Sequence, residues 1–268
     1  MSDIALDQKQ LENLRNFLDL DKKQRDENIL TVLLKGREGS GKTSFLGTCP
    51  GPILIDHFDT SGTQSIRSEI EQGNILVRRW YDKDNGYQSW SEQWEKDLKS
   101  GFYKIFNTVS WDSGTSLVEL MGNQVVQDDP KSPISGLGGK TINLQKFTGM
   151  YNVLMNHIGL TILEVPIFIL TFHTKITQDE LTNEITYELA TYPQLQTRIP
   201  MQFAEKWTTV AEPNGEHKIY TGRKGRERAS TQIGRDKFDL VEKPDMKYLL
   251  DKAKIKVSEK PNLSDLLK

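Results

Sequence analysis

The 268-residue chain has one cysteine, Cys49, and four histidines, and neither sign of charge dominates: 35 Lys and Arg stand against 37 Asp and Glu. A lone thiol excludes an internal disulfide framework, and histidines without paired Cys or His spacing give no basis for a structural zinc site. The charge balance excludes a uniformly basic, histone-like coat. Long hydrophobic runs are also missing. The longest, Val165 to Phe172, is far short of the roughly 20 residues a membrane helix needs, and the acidic, Gln-containing start lacks a basic-then-apolar signal pattern. The expectation is a cytoplasmic protein without a membrane partner. With 36% apolar residues and five Trp, the chain has enough material for a real core.

Residues 1–28 carry both signs of charge over a rough apolar stripe (Ile4, Leu11, Leu14, Phe17, Leu18, Leu20), which predicts a charged helical leader. A core then extends over 29–240. Ile29 to Leu34 reads as a strand ending in a Gly-rich turn, with a helix from Lys42. Pro52 to Asp56 and Ile75 to Arg78 follow as strands, separated by a helix near Thr63 to Gln72. A helix over Tyr87 to Leu98 leads to the strand Lys104 to Asp112, and a helix through Leu117 and Met121 to a polar loop at Gln127 to Gly139. The spacing of Phe147, Met150, Tyr151, Leu154, Ile158 and Ile162 predicts a helix that delivers the chain to the buried strand Ile167 to Phe172. Alternating strands and helices imply an α/β fold with a mainly parallel sheet covered on both faces. Thr174 to Arg198 has weak hairpin character. Late antiparallel strands, Lys206 to Val210 and Lys218 to Gly222, join at the turn Pro213-Asn-Gly215. Residues 241–268 read as a charged, loosely held tail.

The octet Gly36-Arg37-Glu38-Gly39-Ser40-Gly41-Lys42-Thr43 matches G-x-x-x-x-G-K-[ST] in full. Such a loop turns backbone N–H groups inward around a phosphate; Lys42 reaches the outer phosphates, and Thr43, with Ser44 beside it, offers a hydroxyl to magnesium. The chemistry needs a carboxylate on a neighbouring strand to hold Mg2+, and Asp112, closing the strand Ile105 to Trp111, is the candidate; a helix cap is its alternative role. Hydrolysis also needs a group to orient water. Asp56, at the end of the second strand, and Asp59, three residues later, both qualify, and the spacing does not separate them. His173, after Ile167 to Phe172, stands where a side chain touches a γ-phosphate, or else is a hydrogen-bonded histidine at the sheet margin.

These residues, with Trp111-Asp112-Ser113 and Tyr192-Pro-Gln-Leu195, resemble the RecA-like P-loop ATPases of bacteriophages, including the Sak-four-type single-strand-annealing proteins. The resemblance covers about Ile29 to Leu240. It implies a three-layer RecA-like fold, ATP and Mg2+ as cofactors, side-by-side assembly of subunits into a homo-oligomer, and action on single-stranded DNA with a single-strand-binding protein as partner, in the host cell cytoplasm. In that family an acid usually follows the second-strand Asp by two residues. Here that position is Phe58, so either the turn is one residue longer or hydrolysis is weak.

Between Lys218 and Lys237 seven basic residues face two acids, and within this segment Arg228 and Arg235 are candidates for a finger reaching a neighbour's γ-phosphate. Lys131, Lys140 and Lys146, and Lys175 and Arg198, supply charge in the loops expected to meet DNA. The cluster Trp80, Tyr81, Tyr87, Trp90 and Trp94 is assigned to the core, Trp90 and Trp94 lying one helical turn apart, and Cys49 to a small buried apolar role. The main functional expectation is an ATPase acting on single-stranded DNA in recombination or replication. The alternative is a P-loop ATPase that remodels a protein partner, such as a helicase loader or packaging accessory, without gripping DNA.

Overall fold

The computed structural model describes residues 30–60, 62–82, 85–128, 144–178, 183, 185–223, 225, 229–234 and 236–266. Of the expected leader, only Leu11, Glu12, Arg15, Asn16 and Asp19 are described, all helical and exposed; the rest of 1–28 lies outside the described residues.

Five parallel strands form the centre. They are β1 (Leu30–Gly36), β2 (Ile53–His57), β3 (Ile75–Arg79), β4 (Thr108–Asp112) and β5 (Ile167–Gln178). A short strand, β6 (Ile185–Leu189), pairs antiparallel with the far half of β5. β7 (Glu205–Ala211) adds to β1 in parallel, and β8 (His217–Tyr220) and β9 (Val241–Glu242) continue the sheet antiparallel. The path is β3-β2-β4-β5-β1-β7-β8-β9. This is the expected three-layer α/β architecture, a mainly parallel central sheet with late antiparallel strands.

The helices are α1 (Lys42–Leu46), α2 (Arg67–Glu71), α3 (Gly86–Ser100), α4 (Gly114–Asp128), α5 (Leu144–Glu164), α6 (Pro193–Arg198), α7 (Met246–Ala253) and α8 (Leu263–Leu266). Because strand side chains alternate, β1 splits its apolar residues between two cores. Leu33 joins Leu54, Val109, Trp111 and Phe168 beneath α3, α4 and α5, where Trp90, Trp94, Leu117 and Ile158 are buried. Val32 and Leu34 join Ile53, Ile55 and Ile169 against Phe45 and Leu46 of α1. The helix after β1 therefore covers one face and the helix after β4 the other. The crevice where the chain parts to both sides, at the carboxyl ends of β1, β5 and β4, is where such sheets bind ligands.

Three expectations change. The strand read over Lys104 to Asp112 is shorter, because Phe102–Ile105 forms a 3-10 turn after Gly101, whose φ of 71° ends α3 in the left-handed region. Polar residues at the start of that strand are hydrogen-bonded: the Asn107 amide donates to the carbonyls of Gly51 and Ser258, and the Thr108 hydroxyl to that of Pro50. His173 does not end its strand, since β5 runs on to Gln178 once β6 replaces β1 as a partner. The tail read as loosely held is packed: Met246, Leu249, Leu250 and Ala253 are buried against the α1 side, and the Asp245 carboxylate caps α7 through the Tyr248 N–H. Cys49 is fully buried, as read, and burial pushes its thiol up.

Candidate nucleotide site

β1 runs straight into the phosphate loop. A Cβ at Gly36 would lie 2.4 Å from both the Ser40 and the Thr209 hydroxyl oxygens, so the strand cannot reach the loop with a larger residue here. Gly39 and Gly41 have φ of 70° and 90°, the left-handed region open to glycine, and these turns close the loop onto α1. Ser40 and Thr209 hydroxyls lie 2.7 Å apart and tie the loop to β7.

Lys42 is 6% exposed, and its Nζ donates to the carbonyls of Gly36 (3.1 Å) and Arg37 (2.9 Å) and to His173 Nδ1 (3.3 Å). Burial lowers its pKa, and the nearby charges of Asp112, Asp59 and Glu38 oppose that shift. An ammonium held this way is poised for an anion.

The Thr43 hydroxyl donates to Asp112 Oδ2 at 2.8 Å, and the Thr171 hydroxyl holds Oδ1 at 2.5 Å. His57 Nδ1 lies 3.5 Å from Oδ2. Asp112 thus has one oxygen locked by β5 and the other aimed at the start of α1. A hydroxyl and one carboxylate are hard oxygen donors that suit Mg2+, which takes the rest of its shell from water and phosphate. Among the described residues no cluster of three or more His, Cys, Asp or Glu is grouped for metal binding.

The two carboxylates that spacing left equivalent are separated by the fold. Asp56 is fully buried on the α3 side, where Arg78 grips both oxygens (2.8 and 2.9 Å) and the indoles of Trp80 and Trp90 donate at 2.8 and 3.2 Å. That carboxylate has no capacity left for water in the cleft. Asp59 lines the cleft, its Oδ1 accepting from the Ser113 hydroxyl (2.9 Å) and from Ser116, and its Oδ2 lying 3.5 Å from His173 Nε2. Burial pushes the Asp59 carboxyl up, but the hydrogen bonds from His173, Ser116 and Ser113 outweigh it and hold the group at about 2. Because Lys42 can only donate, His173 Nδ1 is the acceptor and Nε2–H faces Asp59. The imidazole bridges the loop lysine and the cleft carboxylate.

The cleft is about 850 Å³, within the range of small-molecule sites, and is lined by Glu38 to Ser44, Asp59, Asp112, His173 and, along one face of α4, Ser116, Glu119 and Asn123. Sequence reasoning missed Ser116, Thr171, Thr209 and His217, whose ring approaches the Gly41 backbone; only Ser113 and Ser116, opening the helix after Asp112, gave any signal. Of the aromatic cluster, Trp90 and Trp94 are buried core, whereas Tyr81 is 47% exposed and lines the cleft. Arg37 turns away, its guanidinium 4.5 Å above the Tyr187 ring and hydrogen-bonded to the phenol oxygen. Arg228, Arg235, Lys131 and Lys140 lie outside the described residues. Lys146 on α5, Lys175 on the far half of β5 and Arg198 ending α6 are exposed.

The phosphate loop and the strand-end carboxylate are arranged as in a P-loop NTPase. No protein-family model and no curated protein matches the chain. Among solved structures it is similar to the crystal structure of the flagellar accessory protein FlaH from Methanocaldococcus jannaschii, with 13% identity, a TM-score of 0.38, and coverage of 75% of this chain and 81% of that one. Among the described residues no helix is long and apolar enough to cross a membrane.

Proposed function

We propose that the chain binds ATP with Mg2+ on the loop Gly36 to Ser44 and hydrolyses it. The observation that carries this reading is the convergence of Lys42, Thr43, Asp112, Asp59 and His173 on one cleft at the carboxyl ends of β1, β4 and β5. Lys42 and the loop N–H groups bind the phosphates, while Thr43 and Asp112 hold Mg2+, which when bound neutralises charge building on the phosphates. Asp59, ionised and clamped by Ser113 and Ser116, orients the attacking water rather than removing its proton, since a group of such low pKa is a weak base. His173 reports the outer phosphate to β5 and the β5–β6 hairpin beyond it.

The wider reading is a phage RecA-like, Sak-four-type protein that assembles side by side, cooperates with a single-strand-binding protein, and acts on single-stranded DNA in recombination or replication. The basic segment from Lys218 to Lys237 supports this reading through its local positive charge, with Arg228 or Arg235 as the finger to a neighbouring subunit. The test is ATP hydrolysis with and without single-stranded DNA, alongside strand annealing, for the wild type and Lys42→Ala. DNA-stimulated turnover and annealing that vanish in Lys42→Ala are expected. Turnover indifferent to DNA, with no strand binding at low salt, would reject the DNA role and leave the ATPase.

A further inference from the structure

The carboxylate placed to orient a nucleophile already holds an alcohol. Asp59 Oδ1 accepts from the Ser116 hydroxyl, and Ser116 lines the same cleft as Lys42 and His173. On its other side this carboxylate is joined to the phosphate loop: Oδ2 lies 3.5 Å from His173 Nε2, and His173 Nδ1 lies 3.3 Å from Lys42 Nζ. The loop lysine reaches the outer phosphates of a bound nucleotide. A line of four side chains, Lys42, His173, Asp59 and Ser116, therefore runs from those phosphates to a primary alcohol.

Neighbouring hydroxyls are engaged differently. Thr43 donates to Asp112, and Ser40 is tied to Thr209 of β7. Ser113 also bonds Asp59 Oδ1, at 2.9 Å, but it is fully buried behind the cleft wall. Ser116, three residues further on and half-buried, presents its hydroxyl to the cleft. Its backbone N–H donates to Ser113 Oγ at 3.4 Å, which fixes the first turn of α4 and with it the place of the Ser116 side chain.

We propose that Ser116 is a phosphoryl acceptor, to which the protein transfers the γ-phosphoryl group of its own bound ATP. This rests on the reading that the loop Gly36 to Ser44 binds ATP, and adds an acceptor beside water. The Ser116 oxygen forms a bond to the γ-phosphorus with one of its lone pairs. The bond from the γ-phosphorus to the β,γ-bridging oxygen breaks, and its electron pair leaves with ADP. The hydroxyl proton passes to Asp59 Oδ1 and from there to solvent in the cleft. A carboxylate held at about 2 is a weak base, and transfer through a loose transition state depends on positioning more than on proton removal.

The product is favoured where it forms. A phosphate on Ser116 stands in the first turn of the 15-residue α4, where the helix dipole favours an anion, and shares the cleft with the Lys42 ammonium. It also places a second anion beside Asp59, which disfavours the return of a triphosphate and limits the reaction to one phosphate per chain.

The experiment incubates the full chain with Mg2+ and ATP labelled at the γ-phosphate, quenches in acid, and locates protein-bound label by mass spectrometry. Phosphate release and binding of a non-hydrolysable ATP analogue are measured alongside. Label approaching one phosphate per chain on Ser116 is expected in the wild type, at a rate independent of protein concentration. It is kept in Ser116→Thr, lost in Ser116→Ala with analogue affinity unchanged, and formed about a hundredfold more slowly in Asp59→Asn. The site is read on the wild-type chain, so a folding defect in a variant does not decide the outcome. A wild type that binds the analogue and releases phosphate, but carries no label or carries it on another residue, would overturn Ser116 as acceptor and leave the ATPase standing. No analogue binding by the wild type would overturn both. Labelling of Ser116 at the wild-type rate in Asp59→Asn would overturn the step through the Asp59-held hydroxyl.

Discussion

Asp56 and Asp59 stand three residues apart at the end of one strand and have opposite surroundings. Asp56 is closed in by Arg78, Trp80 and Trp90, and Arg78 also pairs with the buried Asp97. Asp59 is held by two serine hydroxyls and an imidazole at the edge of a cleft. Both carboxylates have satisfied oxygens, but one is gripped by a guanidinium inside the fold and the other faces a volume that a substrate can enter. The partners, not the residue type or its place on the strand, decide which acid supports the fold and which is left for chemistry.

The contrast is broken most strongly at Arg78. Removing it leaves Asp56 and Asp97 as buried charges without their cation, so Arg78→Ala should destabilise the fold by about 3–5 kcal/mol in urea denaturation. A change below about 1 kcal/mol would mean the pair is solvated and the structural role is misassigned.

A second stability effect belongs to the same side of the sheet. His157 lies edge-on to Trp94, with ring centroids 4.1 Å apart, and burial pushes its imidazole down to about 4. The folded state keeps this ring neutral while the unfolded chain protonates below about pH 6.5. Its contribution is therefore complete above pH 6.5 and lost as pH falls towards 4, by about 3 kcal/mol at most. Asp59, also with a depressed pKa, contributes above about pH 3.8 and loses that contribution only as pH falls through about 2. Unfolding free energy measured from pH 7 to pH 4 should thus decline in the wild type and much less in His157→Leu. Equal slopes would remove His157 from the explanation.

The smallest expected effect is at Ser116. Ser116→Ala deletes one of the hydroxyls holding Asp59 and should lower ATP turnover by less than about tenfold, equivalent to about 1.4 kcal/mol of barrier, with nucleotide affinity unchanged in an equilibrium titration. A parallel loss of affinity would place Ser116 in phosphate binding instead.

The parts of this arrangement carried by local patterns were readable from the chain. The phosphate loop is contiguous, Gly39 and Gly41 sit where left-handed turns are required, and Asp112 closes an apolar strand. The separation of Asp56 from Asp59 was not readable, because it depends on Arg78 and Trp80, more than twenty positions away and brought close by the β2–β3 register. The far half of β5 was legible only as weak hairpin character from Thr174 onward, because its polar residues pair with β6 outside the buried sheet. α7 had a signal that was passed over: Met246, Leu249, Leu250 and Ala253 follow i, i+3, i+4, i+7 spacing behind an Asp cap, masked by the lysines and acids between them. His217 gave none, being one histidine near a turn until the β7–β8 hairpin brings it to Gly41.

The division of labour between the two carboxylates is tested most directly by steady-state ATP hydrolysis of Asp59→Asn at saturating nucleotide. The account predicts a fall in turnover of about a hundredfold or more, with nucleotide affinity and unfolding free energy close to wild type. Turnover within a few-fold of wild type would contradict it.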